Sequence, residues 1–238
     1  MPDVAVMAFG AHPDDIELGC GGTLIKLGDL GFSTVLVDVT HGEMSTRGTP
    51  EIRQAEAETA ARMIGAVARE NLGLADGHIE AGPEAKRRVA EVVRRYRPQM
   101  VLVPYYEDRH PDHYRASELI YEGVFWAGLA RVDTGQESYR PSRVLYYMGW
   151  YEFQPTFVVD ITEQFERKMQ AIYAYATQFK PDDPSYQQTR LTSPGYNWML
   201  VHRMAHYGSL IQAKYGEGFL IRGTMQVDNP LGVHFSSF

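Results

Sequence analysis

The sequence of 238 residues contains one cysteine, no long apolar run and no excess of basic residues. With Cys20 alone, no disulfide can form within the chain, and a chain of this length can bury a full core without one. We therefore expect a protein of a reducing compartment, the cytoplasm. The longest apolar runs, such as Met100–Pro104, are far shorter than the about 20 residues that span a bilayer.

Basic residues are also too few for a protein whose main partner is a nucleic acid. The 23 Lys and Arg residues against 30 Asp and Glu residues give a formal net charge of −7, whereas a phosphate backbone calls for a basic face. No secretion signal is apparent, because Met1-Pro2-Asp3 leads directly into an apolar segment without a basic start. We therefore expect no nucleic-acid partner and no membrane partner.

Short apolar segments alternate with helical patterns through the first half of the chain. We predict buried strands at Val4–Phe9, Thr34–Val39, Asn71–Leu74 and Met100–Pro104, and helices at about Thr23–Leu30, Pro50–Ile64, Pro83–Tyr96 and His113–Leu129. This alternation predicts an α/β fold with a Rossmann-like, mostly parallel sheet and helices on both faces.

The second half of the chain is less regular and predicts a C-terminal α+β elaboration. We predict strands at Val144–Met148, Phe157–Ile161 and Phe219–Arg222, and helices at Thr162–Thr177 and Tyr196–Lys214. Because no repeat and no linker is apparent, we expect a single domain over residues 1–238, with a core of about residues 1–130 and an elaboration of about residues 131–238.

Histidine and acidic residues follow three of the predicted strands at the point where each strand ends. These clusters are His12-Pro13-Asp14-Asp15, His41-Gly42-Glu43 and Glu107-Asp108-Arg109-His110-Pro111-Asp112-His113. Doubly wound sheets bind their ligands at the carboxyl ends of the strands. We therefore expect these side chains to lie close together.

The first and third clusters contain the residue types of a catalytic metal site. His12, Asp15 and one or both of His110 and His113 can supply two imidazoles and one carboxylate. Three protein ligands with an open position are typical of catalytic zinc, which lowers the pKa of a bound water towards about 7.

Two further carboxylates suit proton transfer at such a site. Asp14 diverges from its neighbour Asp15, so it can face the water as a general base, although an Asp-Asp pair alone is more often a helix cap. Asp112 lies between two histidines and can orient the second imidazole. We interpret the isolated histidines as ordinary structural residues: His41, His78, His202, His206 and His234.

Three alternatives remain at this point. A non-haem Fe(II) oxygenase also uses two histidines and one carboxylate, but the common ones are all-β proteins. A nucleotide-binding protein would need a glycine fingerprint, which Gly19–Gly22 does not match. A metal-binding or sugar-binding protein without catalysis is the third alternative.

The segment Ala11–Thr23, AHPDDIELGCGGT, resembles the signature of the LmbE-like, or PIG-L, family of N-acetylglucosaminyl deacetylases. The similarity continues at Thr40–Glu43, at Arg47–Thr49, at Arg53 and Glu56, at Tyr105–His113, and loosely from Tyr207 to Phe219. The YYEDRHPDH form is most similar to the branch that removes acetate from N-acetylglucosaminyl malate in bacillithiol biosynthesis. Relatives acting on other N-acetylglucosamine sugars, such as chitooligosaccharides or inositol conjugates, are the alternative.

The resemblance also implies roles for particular residues. It implies an LmbE-like fold and a zinc ion, or Fe²⁺ or another divalent metal, held by His12, Asp15 and His113. Asp14 would be the general base. Protonated His110, supported by Asp112, would stabilise the transition state or protonate the leaving amine.

Other expected contacts concern the substrate and the assembly. Tyr196 would help to hold the oxyanion, and Arg53, Glu43 and Arg109 would bind the substrate. The resemblance also implies a small amino-sugar substrate and further copies of the chain as partners, in a homo-oligomer of the size of a hexamer.

Overall fold

A computed structural model describes residues 4–181 and 183–233, which include one seven-stranded sheet. Its strands are β1 Val6–Gly10, β2 Thr34–Thr40, β3 Ala68–Leu74, β4 Met100–Pro104, β5 Arg143–Tyr147, β6 Phe157–Asp160 and β7 Gly216–Leu220. Their spatial order is β3-β2-β1-β4-β5-β7-β6. The first five strands pair in parallel, whereas β7 runs antiparallel to β5 and β6.

Helices cover both faces of the sheet, which confirms the predicted α/β class. They are α1 Asp15–Asp29, α2 Pro50–Ile64, α3 Pro83–Tyr96, α4 Pro111–Ala127, α5 Phe165–Tyr173, α6 Ala176–Phe179 and α7 Pro194–Ser209, with a 3₁₀ turn at Pro230–Gly232. Successive strand residues point to opposite faces, so Val35 and Val37 pack in the core on the α3–α4 side and Leu36 packs in the core on the α1–α2 side.

Helix α2 shows why several predicted boundaries are correct. Thr49 caps the helix by accepting a hydrogen bond from the Ile52 amide, and Pro50 occupies the first turn, where a missing N–H costs nothing. Gly65 ends it with a φ of 84°. The predicted limits of α3 and β4 agree with the structure as well.

The predicted start of the first helix was wrong, because α1 begins at Asp15 and contains the glycine segment that we placed before it. A Cβ on Gly19 would lie 2.2 Å from the Tyr147 ring, and one on Gly22 would lie 2.8 Å from the Ile161 side chain. The glycines therefore allow close packing of the helix on the sheet, and this packing outweighs their low helix propensity.

The C-terminal helices are also shorter than predicted. The pattern over Thr162–Thr177 forms two helices, α5 and α6, and α7 ends at Ser209 rather than at Lys214. Gly208 lies against the returning chain, where a Cβ would be 2.7 Å from the Tyr215 backbone nitrogen. The chain thus turns back into β7 earlier than hydrophobic periodicity indicates.

The C-terminal strands extend the sheet of the first half rather than forming a sheet of their own. The division at about residue 130 and the single domain over the whole chain remain predictions. Among residues 4–181 and 183–233, none of the helices combines the length and the apolar composition that crossing a bilayer requires.

Candidate active site

The histidine-rich segments after β1 and β4 meet at the carboxyl edge of the parallel strands. They line a cleft of about 540 Å³. The predicted residues on its wall are His12, Asp14, Asp15, Arg53, Arg109, His110, Asp112, His113 and Tyr196. The topology predicts this convergence, because β1 and β4 are neighbours in the sheet.

His12, Asp15 and His113 form a compact set of metal donors. One ligand atom from each lies within 4.8 Å of the other two. Nδ1 of His12 is 3.5 Å from one Asp15 oxygen, and Nε2 of His113 is 3.3 Å from the other. Two imidazoles and one carboxylate with the rest of the sphere open to a cleft match a catalytic zinc site.

The outer nitrogen of each of these imidazoles is held by carboxylates. Nε2 of His12 is 3.1 Å from Asp76 and 3.3 Å from Asp112, while Nδ1 of His113 is 3.2 Å from Asp108. Histidines that bind metal generally donate their second N–H in this way, which fixes the nitrogen that faces the ion. The chain's own residues therefore fit a divalent metal.

Electrostatics at the three donors also favours a cation. Burial alone would raise the pKa of Asp15, but the charges of His113 and His12 hold that pKa well below its usual value. Burial lowers the pKa of His12 and of His113, yet the surrounding carboxylates raise both above the ordinary value. The carboxylates around the two imidazoles therefore favour positive charge at this set of side chains.

Asp14 stands beside the donor set with a strained backbone, at a φ of 119°. One carboxylate oxygen is 3.2 Å from the Arg53 guanidinium, which also donates to the Pro13 carbonyl. Burial raises the pKa of Asp14 to about 7, against the opposing charge of Arg53. Such a pKa suits a general base at neutral pH.

Gly42 lies so close to the Arg53 guanidinium that a side chain there would collide with it. It has a φ of 67°, and a Cβ there would lie 2.3 Å from the Arg53 guanidinium. The segment after β2 therefore contributes to the site through close packing on a buried arginine.

His110 occupies the cap of α4, and its Nδ1 accepts a hydrogen bond from the Asp112 amide at 3.2 Å. Burial, together with the charges of His113 and His12, lowers the pKa of His110. The accepting Nδ1 and the lowered pKa favour a neutral imidazole with its proton on Nε2, whereas the sequence analysis expects a protonated His110.

The hydrogen bond between Asp112 and His110 comes from the Asp112 amide, while the Asp112 carboxylate acts on His110 through its charge, which partly opposes the lowering of the His110 pKa. That carboxylate faces His12 and accepts from the Gly77 amide at 2.7 Å.

Aromatic and basic side chains form the outer wall of the cleft. Tyr196 is buried near Trp150, with ring centroids 5.5 Å apart. Two guanidinium groups flank Trp150, that of Arg109 at 4.4 Å and that of Arg190 at 5.1 Å from the ring centroid. Arg190 is a cleft residue that sequence reasoning missed.

Glu43 is not among the residues that line the cleft; its carboxylate accepts from the Asp76 amide at 2.8 Å. The isolated histidines His41, His78, His202 and His206 are exposed and do not line it, and His234 lies outside the described residues. Asp76 and Asp108 support the metal donors, although sequence reasoning assigned them no role. Asp76 follows β3, and this position at a strand end was the available signal.

Comparisons with known proteins agree with this geometry. The family model PIG-L, described as GlcNAc-PI de-N-acetylase, matches residues 7–124. A diacetylchitobiose deacetylase from Thermococcus kodakarensis is 31% identical over 229 residues, covering 90% of this chain and 81% of the relative.

Two further matches cover most of the chain. A 1D-myo-inositol 2-acetamido-2-deoxy-alpha-D-glucopyranoside deacetylase from Kineococcus radiotolerans is 27% identical, with 84% of this chain and 78% of the relative covered. The solved structure of the conserved protein TT1542 from Thermus thermophilus superposes with a TM-score of 0.85 at 35% identity, covering 94% of this chain and 97% of that one.

Proposed function

This chain belongs to the PIG-L family of deacetylases, and we propose that it removes acetate from N-acetylglucosaminyl malate in bacillithiol biosynthesis. Family membership supports deacetylation of N-acetylglucosamine-type substrates. The observation that carries the hydrolytic chemistry is the convergence of His12, Asp15 and His113 beside Asp14 in one cleft.

The proposed metal is zinc, with Fe²⁺ or another divalent ion as the alternative. His12, Asp15 and His113 would hold a divalent ion, which would supply Lewis acidity towards a carbonyl and a water. The carboxylate of Asp14 accepts a proton as water adds to the acetamide carbon. The C–N bond then breaks, acetate leaves, and the proton on Asp14 is available to the departing nitrogen.

We assign two hydrogen-bond donors of the cleft to the oxygen that gains charge in this reaction. Neutral His110 donates through Nε2–H, and Tyr196 donates through its phenol. Burial raises the pKa of Tyr196, so its hydroxyl keeps the proton at neutral pH. Arg53 holds the Asp14 carboxylate in place, so its effect on the reaction comes from the position that it gives to Asp14.

Arg109 and Arg190 support an anionic substituent on the sugar. Both guanidinium groups lie against Trp150 at the cleft wall. Arginine binds carboxylates through paired hydrogen bonds, and malate offers two carboxylates. This arrangement favours the malate conjugate over the neutral chitooligosaccharide and inositol alternatives.

The parallel sheet with helices on both faces argues against the oxygenase alternative, whose common members are all-β. The complete set of metal donors, base and hydrogen-bond donors argues against a purely binding protein.

Release of free amine tests the proposed reaction. We would assay N-acetylglucosaminyl malate, diacetylchitobiose, the N-acetylglucosaminyl inositol conjugate and N-acetylglucosamine, each with and without a chelator. Chelator-sensitive release that favours the malate conjugate supports the full proposal. Release that favours another sugar keeps the deacetylase and removes the malate assignment, and release from none of them overturns the reaction.

The two arginines allow a sharper test of the substituent. We predict that Arg109→Gln and Arg190→Gln each raise KM for the malate conjugate by about 10- to 100-fold, because each loses a charge-assisted contact of about 1.5–3 kcal/mol. KM for diacetylchitobiose, which has no carboxylate, is the internal control. An equal effect on both substrates would contradict recognition of the malate.

The assembly and location are further proposals. We propose a homo-oligomer, of the size of a hexamer, in which the exposed face of α4 meets another copy. That face carries Tyr114, Tyr121 and Phe125, which are 39%, 47% and 52% exposed. Aromatic residues are enriched in subunit interfaces. Location in the cytoplasm remains a prediction from cysteine content.

A further inference from the structure

Asp108 joins three parts of the active site through one buried carboxylate. Its Oδ1 is 3.2 Å from Nδ1 of His113 and also accepts from the His110 amide at 2.8 Å. Its Oδ2 accepts from the Trp150 amide at 2.7 Å. Only 1% of the Asp108 side chain is exposed. The same side chain therefore contacts a metal donor and the segment that follows β5.

The two histidine donors differ in how they are held. Nε2 of His12 has two carboxylate partners, Asp76 and Asp112. Within residues 4–181 and 183–233, Nδ1 of His113 has a single carboxylate at hydrogen-bonding distance, that of Asp108. Loss of the Asp108 charge therefore leaves the His113 imidazole without its orienting partner.

Gly149 brings the segment after β5 against the same carboxylate. A Cβ on Gly149 would lie 2.2 Å from Oδ2 of Asp108 and 3.6 Å from Nδ1 of His113. The next residue is Trp150, and the guanidinium groups of Arg109 and Arg190 lie over its ring. Close contact between Gly149 and Asp108 thus connects the outer wall of the cleft with the metal donors.

We propose that Asp108 is a positioning residue that fixes His113 and the Gly149–Trp150 segment in one geometry, so that metal affinity depends on both contacts. The proposal rests on the metal donor set of the proposed function and is independent of which sugar is the substrate. Metal binding should therefore weaken when Asp108 itself is substituted, and also when a larger residue at position 149 displaces the Asp108 carboxylate.

Asparagine at this position is a sharp test because its shape is nearly that of aspartate. The carboxylate accepts on both oxygens, from His113 and His110 on one side and from Trp150 on the other. A carboxamide has one accepting oxygen, so its NH₂ group must face a donor on one of the two sides.

The experiment measures Zn²⁺ affinity of the metal-free full chain by competition with a chromophoric chelator. We expect Asp108→Asn to raise the Kd by about 10- to 100-fold, the usual effect of losing such a partner. Gly149→Ala should weaken binding in the same direction, although it removes no ligand and no charge. Asp133→Asn, at an aspartate that accepts from the Gly135 amide away from the cleft, is the matched control.

Two more measurements separate positioning from a general loss of stability. The thermal midpoint of the metal-free proteins reports stability, and the visible spectrum of the Co²⁺ form reports ligand geometry. A lower thermal midpoint with wild-type Kd and wild-type Co²⁺ spectrum in both variants would overturn the proposal. If the wild-type chain binds none of Zn²⁺, Co²⁺ and Fe²⁺, the donor set itself is wrong, and the positioning role falls with it.

Discussion

Asp14 adopts a φ of 119°, a conformation that residues with a side chain rarely take. Strain of this kind persists where neighbouring contacts enforce it, and here Arg53 holds the carboxylate at 3.2 Å. The strained backbone and the raised pKa both occur at the residue that we propose as the general base.

We predict that Asp14→Asn keeps the bound metal and lowers kcat by about 10²- to 10⁴-fold, because a general base contributes about that much. His12→Ala should lose both metal and turnover.

In the wild-type enzyme, kcat/KM should fall as the pH drops below about 7, since Asp14 with its pKa of about 7 becomes protonated and cannot accept a proton.

Steady-state kinetics across pH and metal analysis of the purified variants check this assignment. Asp133→Asn controls for the chemical change at an aspartate outside the cleft. A kcat for Asp14→Asn near that of the wild type would show that another group is the base.

Tyr196 offers a second prediction at the scale of single residues. Tyr196→Phe should lower kcat by about 10²- to 10³-fold, the typical cost of losing one oxyanion donor. Tyr173→Phe is the matched control, because the Tyr173 hydroxyl donates to Asn197 of α7 without lining the cleft. An effect of Tyr196→Phe no larger than that of Tyr173→Phe would place the Tyr196 hydroxyl outside the reaction.

The sequence pointed to some site residues and not to others for a physical reason. His12, Asp15 and His113 are conspicuous because their neighbours form dense polar clusters at strand ends. Asp76 lies after β3 in a segment with one neighbouring histidine, and its contact with His12 joins residues 64 positions apart. Such a contact depends on strand order, which local patterns do not specify.

At the scale of elements, α1 depends on side chains from distant parts of the chain. The Gly22 and Thr23 amides donate to Glu217 of β7, at 2.9 and 2.7 Å. Lys168 of α5 donates to that same carboxylate at 2.6 Å and to the Leu18 carbonyl at 2.8 Å. Both charged side chains are almost fully buried.

We predict that Lys168→Met lowers the free energy of unfolding by about 3–5 kcal/mol, because it leaves the Glu217 charge buried without its partner. The double variant Lys168→Met/Glu217→Gln should recover part of this loss by removing that charge. Arg167→Met is the matched control: Arg167 lies in the same helix and pairs with exposed Asp29, a contact worth about 0–1 kcal/mol.

Denaturant unfolding of the wild type and the three variants gives these values. A loss for Lys168→Met no larger than for Arg167→Met would show that the buried pair adds nothing to stability.

This network also explains the helix start that sequence reasoning misplaced. The glycine-rich segment Gly19–Gly22 indicates a turn when only local propensity is considered. In the folded chain these glycines lie against Tyr147, Ile161 and Glu217, which come from the second half. Boundaries set by local capping, such as Thr49 and Pro50 in α2, were predictable because their partners are close in sequence.

At the scale of the whole molecule, the net charge of −7 contrasts with the basic wall of the cleft. Arg109 and Arg190 concentrate positive charge at the outer wall of the cleft, and clefts focus such local fields. The overall charge therefore does not argue against the anionic substrate that we propose, because these two arginines set the local charge at the cleft wall.

The exposed face of α4 carries the prediction about assembly. Tyr114, Tyr121 and Phe125 recur at helical spacing, so they form one aromatic stripe with Glu118 as its charged member. Arg222 and Arg140 lie over the rings of Tyr121 and Phe125. Because exposed aromatic and arginine side chains are enriched in subunit interfaces, we propose this stripe as the contact with another copy.

We predict that the wild-type chain sediments as a homo-oligomer and that Tyr121→Glu/Phe125→Glu shifts it towards the monomer, because the interface would lose two aromatic contacts and would have to desolvate two carboxylates. Phe32→Glu, which places a charge on another exposed aromatic position, should sediment like the wild type. Sedimentation velocity at micromolar concentrations separates these species. A monomeric wild type would remove the oligomer, and an unchanged oligomer in the double variant would move the interface away from α4.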